Sequence, residues 1–478
     1  MRPYKFLTII CLLAWGCSKS SDNATKPNQT AGTPSAPIAQ APASSAIGTT
    51  SFTASWRKVS GADKYMVFVA ADNQFTQPVT NYNPATVTDT TLTVNNLAPG
   101  ASYFYKVQAS ENGVAGAYSN VVSVTTQALQ PALWQPVGVA GFSAGGVEYN
   151  TSLAINNNNV PYIAYQDAAY GGAATVMKFN GNSWSPVGTA GFTNNGIGLI
   201  SMAIDKSSNT PYVAYRDFDG YFVVQKFING GWTILGTAQT LPIVGQPSIV
   251  IDSYGNPYVG VIDFGDSDKA TVMEYNGTGW VPVGAEGISP DGNLAFISLA
   301  FDSNGKLYAA YDDGTGSSVE LFNGTNWVYV GPDHFNGSTS SYTTLAIYNT
   351  TLYVGYASNQ QIGQPECMVY NGSYWAQEGS YFSGLNYYPS FALDNSGNPY
   401  LAFQQNTDAY HSVSVMKFSS ANWALVGNAG FSGGYIGALN SNTAPSTPSI
   451  AIDKNNVIYV AYADDNVSSR ATVMKFTQ

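Results

Sequence analysis

Charge is scarce in this chain. Asp, Glu, Lys and Arg make up 10% of its 478 residues, against about 25% in ordinary soluble domains. Arginine is limited to Arg2, Arg57, Arg216 and Arg470, histidine to His334 and His411, and cysteine to Cys11, Cys17 and Cys367. Each shortage removes a class of function. Phosphate contacts need clustered Lys and Arg, so a formal net charge of −11 argues against nucleic acid as a partner. No run of basic residues offers a polybasic membrane patch. A histidine-rich metal site is unsupported. Cys367 is the one cysteine beyond the first 17 residues, so no intramolecular disulfide is expected there. It reads as a small buried hydrophobe on a strand. Gly, Tyr, Asn, Ser and Thr fill the space that charge leaves, a composition for many short strands joined by tight turns.

The N-terminus reads as an address. Arg2 and Lys5 flank the start of Phe6 to Trp15, an apolar stretch of signal-peptide length that is too short to span a membrane. It ends in Ala14-Trp15-Gly16-Cys17, which resembles a bacterial lipobox. That resemblance implies a leader over residues 1–17, lipidation of Cys17 and contact with the membrane through a lipid anchor only. Ser18 stands where an Asp would resemble an inner-membrane retention signal, which favours the outer membrane or the cell surface. Residues 18–36 are rich in Ser, Thr, Asn, Pro, Ala and Gln and read as a disordered tether.

Residues 37–127 hold short alternating strands. Ser51 to Val59 puts Phe52, Ala54 and Trp56 on one face, and Lys64 to Ala71, Thr91 to Leu97, Phe104 to Ala109 and Asn120 to Thr126 follow. This spacing suggests a β-sandwich. Trp56 and the stretch Leu97-x-Pro99-Gly100-x-x-Tyr103 resemble the fibronectin type III family. The resemblance implies that Trp56 is the core tryptophan and that Tyr103 forms a tyrosine corner, its hydroxyl bonded to nearby backbone. A spacer is the expected role.

From residue 128 to 478 the sequence repeats. Trp134, Trp184, Trp232, Trp280, Trp327, Trp375 and Trp423 follow one another at spacings of 47 to 50 residues. Each copy holds four short strand-like pieces bounded by turn residues, the content of one propeller blade. The first Trp has no strands before it, and the last copy, Ala471 to Phe476, has no Trp after it. The Trp134 piece is therefore expected to serve as the outer strand of the final blade, with blades starting at Ser152, Ser201, Ser248, Ser298, Thr344, Ser390 and Ser449. The fold class is all-β: a fibronectin type III-like sandwich followed by a seven-bladed β-propeller. Tyr275-Asn-Gly-Thr-Gly-Trp280 and Phe322-Asn-Gly-Thr-Asn-Trp327 resemble the tail of the Asp-box of sialidase-like and lectin-like propellers, without its Asp. A catalytic sialidase would need three arginines, and the propeller has only Arg216 and Arg470.

The long loops, from outer strand to next inner strand and from second to third strand, share one face. Binding collects on long loops over a rigid scaffold. Aligning the second strands places Asp167, Asp217, Asp263, Asp313, Ser358, Gln405 and Asp464 there. These could hydrogen-bond sugar hydroxyls or hold Ca2+, the one cofactor this pattern admits; equally, each Asp could cap its own loop. Asp263-Phe-Gly-Asp266-Ser-Asp268 is a second Ca2+ candidate. The Asp series at 205, 252, 302, 394 and 453 opens the short turns and reads as structural. A repeated aromatic, Phe142, Phe192, Phe335, Phe382 and Phe431, either stacks on sugars or wedges between blades, and wedging is favoured. Glu148, Tyr149, Tyr170, Arg216, Tyr221, His334, Tyr387, Tyr410 and His411 break the repeat on that face.

Three functions compete. The favoured one is a non-catalytic surface protein that binds a glycan or protein ligand. A glycosidase or polysaccharide lyase would need two carboxylates about 5–10 Å apart, for which Glu148 with Asp167 or Asp217 are candidates. A structural docking platform is the third.

Overall fold

The computed structural model describes residues 33–127, 133–236, 241–290, 292, 294, 296–359, 363–379, 386–405, 411–419, 422–433 and 447–477. The leader, Cys17 and most of the tether lie outside the described residues, as do Phe382 and Tyr410. The chain divides into two compact units, one ending at Pro131 and one beginning at Ala132.

The first unit is a sandwich. One sheet holds Ala39–Gln40, Phe52–Trp56 and Thr91–Val94; the other holds Ala85–Val87, Lys64–Ala70, Ser102–Glu111 and Val114–Tyr118, with Val122–Thr125 paired to Ser102–Glu111. Phe52, Ala54 and Trp56 all face the core, as the alternation requires. The Ala98 N–H donates to the Tyr103 hydroxyl at 2.9 Å, so the tyrosine corner forms.

The second unit is all-β. Among the described residues it contains seven four-stranded antiparallel sheets. The innermost strand of each touches the innermost strands of its two neighbours, and the first touches the last, so the sheets close into a ring. The last sheet takes its fourth strand from the beginning of the unit: Gln135–Pro136 pairs with Arg470–Phe476. The two ends of the propeller are thus joined within one sheet.

What joins the sheets is the repeated tryptophan. All seven indole N–H groups donate to a backbone carbonyl of the preceding sheet: Trp134 to Val426, Trp184 to Val137, Trp232 to Val187, Trp280 to Leu235, Trp327 to Val283, Trp375 to Val330 and Trp423 to Glu378, at 2.6 to 2.9 Å. Six of the rings also tilt against the aromatic five residues before them, as with Phe227 and Trp232 at 5.5 Å, and Trp134 tilts against Phe476 at 5.4 Å. One residue after the accepting carbonyl comes a glycine, such as Gly188, with φ +77°. A Cβ on Gly188 would stand 2.9 Å from the Phe227 ring and 3.4 Å from Trp232, so a glycine is required on both counts.

Serine links the inner strands. The N–H groups of Leu153, Met202, Leu299, Leu345 and Ile450 donate to the hydroxyls of Ser449, Ser152, Ser248, Ser298 and Ser390 on adjacent sheets, at 2.9 to 3.2 Å. These serines were expected to open the blades. Instead the inner strands of the first, third, fifth and sixth sheets start earlier, at Val147, Ile243, Ser340 and Asn386. A register shift interrupts each one before the serine. A bulge lets the strand continue beyond the point where regular pairing stops.

Candidate functional site

The long-loop face is built from repeated parts, and most of them serve the fold. The loop phenylalanines stack flat on the tryptophan of the adjoining sheet: Phe142 on Trp184, Phe192 on Trp232, Phe335 on Trp375 and Phe431 on Trp134, with centroids 4.0 to 4.5 Å apart and planes within 20°. They wedge between sheets. The side chain after each accepts a strand N–H: Ser143 from Ala471 at 2.9 Å, Thr193 from Ala174 at 3.0 Å, Asn336 Oδ1 from Ser317 at 2.7 Å and Ser432 from Val413 at 3.0 Å. Gly141-Phe-Ser143-Ala-Gly145 has the spacing of a nucleophile elbow, yet the Ser143 hydroxyl is buried and donates to the Gly145 carbonyl at 2.6 Å.

The repeated acids divide in two. Asp167 is fully buried; one of its oxygens accepts the N–H groups of Ala169 and Gly145. Asp263 is buried and accepts from Gly265, and Asp464 is buried and accepts from the Asn466 N–H and the Thr472 hydroxyl. Burial pushes the Asp263 carboxyl above the usual range, against the lowering effect of its backbone hydrogen bonds. Asp313 accepts from the Thr315 N–H and hydroxyl, and its other oxygen lies 2.7 Å from His334 Nε2. Burial raises its pKa, but the hydrogen bonds from Thr315 and His334 outweigh burial and hold it below the usual range. Buried carboxylates so engaged are loop caps. Asp217 is only partly buried, with one oxygen accepting the Tyr221 N–H at 2.8 Å.

The remaining candidates are spread over the face. Arg216 is exposed, its Nε donating to the Ile243 carbonyl of the next sheet at 2.8 Å. Tyr221 bridges to Pro242. Glu148 is partly buried beside Gly172, on the sheet adjacent to that of Arg216. Gln405, at the end of its strand, accepts from the Ser414 hydroxyl at 2.6 Å. His411, partly buried with φ +48°, directly precedes Ser412–Ser419. His334 stands where other copies have the glycine of the Gly-Phe-Ser run, and keeps the glycine-like φ of +48°. Among the described residues no three His, Cys, Asp or Glu side chains gather to hold a metal ion.

Asp217 opens onto a cleft of about 370 Å³. Its wall carries the Phe192 and Trp232 stack, Tyr215, Gln225, Asn194, Asn195, Asp219 and Phe218. Phe218 is 77% exposed, and on the equivalent loops of the sheets to either side Tyr170 and Phe264 are exposed too. Gln225 is fixed by its Nε2, which donates to the Tyr215 hydroxyl at 2.7 Å. The cleft exists because the loop Asp217 to Tyr221 makes a tight turn, with Gly220 N–H donating to the Asp217 carbonyl, in place of the 3₁₀ turn that follows Asp167 and Asp263. The sequence alignment marks Asp217 but does not reveal that it alone of the five is left accessible, since that depends on the neighbouring loop.

Residues 35–125 match the fibronectin type III domain family. No match was found among curated proteins. Among solved structures, an oligogalacturonate lyase from Vibrio parahaemolyticus is similar over 72% of this chain and 93% of that one, at 8% identity and a TM-score of 0.51. A lectin of Aleuria aurantia solved with Fucα1-6GlcNAc covers 60% of this chain and 96% of that one, at 12% identity and a TM-score of 0.42. An ulvan lyase covers 71% and 95%, at 11% identity and a TM-score of 0.48. At 8% identity the likeness to the oligogalacturonate lyase is one of fold alone: a fibronectin type III domain leads into a closed ring of four-stranded sheets, a β-propeller.

Proposed function

We propose that this chain is an exported lipoprotein, anchored through Cys17, whose propeller binds a glycan on its long-loop face without transforming it. The cleft beside Asp217 carries the reading. A sugar ring offers an apolar C–H face and a rim of hydroxyls. Phe218 is an exposed aromatic for the first, and Asp217, Asp219 and Asn194 are acceptors and donors for the second. Asp167, Asp263, Asp313 and Asp464 each accept a backbone N–H of their own loop, so binding is expected to survive removal of Ca2+.

The address rests on the lipobox-like Ala14 to Cys17 and the polar tether behind it. Such a tether holds the folded units clear of the membrane. A glycosidase or lyase is the second reading, because Asp217 and Asp219 are two carboxylates on one cleft. The test is a panel of immobilised glycans probed with the full chain, followed by assay of any ligand for cleavage. Saturable binding that Phe218→Ala and Asp217→Asn weaken supports the proposal. Release of new chain ends assigns an enzyme. A protein partner is favoured if no glycan binds.

A further inference from the structure

The sevenfold repeat breaks at the mouth of the central channel. Two residues before the ring of hydroxyls, the fourth, fifth and sixth sheets present Phe296, Tyr342 and Tyr388. Their rings are contiguous: Phe296 and Tyr342 have centroids 4.4 Å apart, and Tyr342 meets Tyr388 edge-on at 4.9 Å and 90°. At the same position the seventh, first and third sheets present Thr447, Asn150 and Gln246. The second sheet has Leu199 there, so one arc of the mouth is aromatic and the other is mainly amide and hydroxyl. Inner strands begin at the long-loop face, so this mouth opens on the face described above.

The two tyrosines are held there against local preference. Tyr342 has φ +58° and Tyr388 φ +56°, each inside a bulge. Bulky side chains rarely occupy this left-handed region. The longer bulge of the third sheet carries its positive φ one residue earlier, on Gly245 at +68°. A strained conformation kept where glycine would serve points to a use for the side chain.

The cavity beneath measures about 200 Å³, and Asn150, Gln246, Phe296 and Tyr342 line it above the serine and threonine hydroxyls. Among the described residues none that line it is charged. Asn150 is spent on the fold, its amide paired with the N–H and carbonyl of Ile200. Gln246 uses only its Nε2, donating to the Ile200 carbonyl at 3.1 Å, and no protein hydrogen bond reaches its Oε1 or the Tyr342 hydroxyl among the described residues. An aromatic wall, a free amide oxygen, a free phenol and a floor of hydroxyls suit a polar ring without charge. A carboxylate here would be desolvated with no cation to meet it.

We propose that the channel mouth binds the terminal ring of an uncharged saccharide, stacked on Tyr342 with its hydroxyls on Gln246 and the serine floor. This deepens the glycan-binding reading and rests on it, but places a site apart from the Asp217 cleft. The test uses the full chain on a panel of glycans ending in neutral hexose, deoxyhexose or N-acetylhexosamine, and of glycans ending in uronate or sialate. Tyr342→Gly removes the ring and suits the positive φ, so the fold should keep its melting temperature. Neutral termini should bind, and Tyr342→Gly should weaken them at least about tenfold while Tyr254→Ala, at an exposed residue of a short turn, leaves them intact. Binding that Tyr342→Gly spares and Phe218→Ala abolishes overturns the channel site and leaves the glycan-binding reading standing. Preference for uronate or sialate termini also overturns it. A panel with no bound glycan overturns both.

Discussion

Replacing Trp232 by Phe tests how the propeller holds together. The substitution keeps an aromatic ring between Phe192 and Phe227 but removes the indole N–H that donates to the Val187 carbonyl at 2.7 Å. Val187 is buried, so its carbonyl is left without a partner, at a cost of about 1–3 kcal/mol. The smaller ring forfeits roughly another 1 kcal/mol of buried apolar area. A total of about 3 kcal/mol should lower the melting temperature of the propeller transition by roughly 5 °C, given the size of the unit. Scanning calorimetry of the full chain reads this, with the sandwich transition as an internal control. Phe192→Ile is the companion variant. It installs the residue type that Ile288 supplies beside Trp327, leaves the indole hydrogen bond in place, and should cost only about 1 kcal/mol of stacking. If Trp232→Phe melts within 1 °C of the parent, or if Phe192→Ile is the more damaging, the indole hydrogen bond is not the clamp.

Gly188→Ala should destabilise the propeller by about 1–3 kcal/mol, since it meets both a positive φ of +77° and the Phe227 ring; thermal melts check this. Deleting Leu133 to Gly138 removes Gln135–Pro136 and should lower the melting temperature of the whole propeller, because the ring then closes without that strand. Tyr103→Phe should cost the sandwich about 1 kcal/mol through the lost Ala98 N–H bond and leave the propeller transition unmoved. Burial raises the Asp394 carboxyl, but hydrogen bonds from Asn398, Ser396 and Lys417 outweigh it and hold the pKa below the usual range. A depressed folded pKa gives stability that is present above the unfolded value of about 4 and lost as pH falls through the folded value. Asp394→Asn should therefore flatten the acid limb of a plot of melting temperature against pH.

The repeat was legible because its signals are local. Seven tryptophans, the glycine after each and the aromatic five residues before six of them are enough to make one sheet clasp the next; Trp134 takes its aromatic, Phe476, from the end of the chain. The short-turn aspartates accept backbone N–H groups within four residues of themselves, as with Asp453 accepting from the Asn455 and Val457 N–H groups, so sequence alone assigns them. The Phe wedge is legible for the same reason. What sequence does not disclose depends on a second segment. Asp217 and Asp167 occupy one aligned position, and their differing turns together with the loop delivering Gly145 to Asp167 set them apart. The bulges that carry Tyr342 and Tyr388 follow no periodic pattern, since a bulge is an extra residue inserted into pairing with another strand. His334 keeps a glycine-like backbone that its residue type argues against.

The most direct test of the central claim is binding of the full chain to the glycan panel, with the supernatant assayed for released fragments and the titration repeated with chelator. Saturable binding, no released fragments and no loss on chelation is the expected result. Fragment release, or an empty panel, would contradict a protein that binds glycans without acting on them.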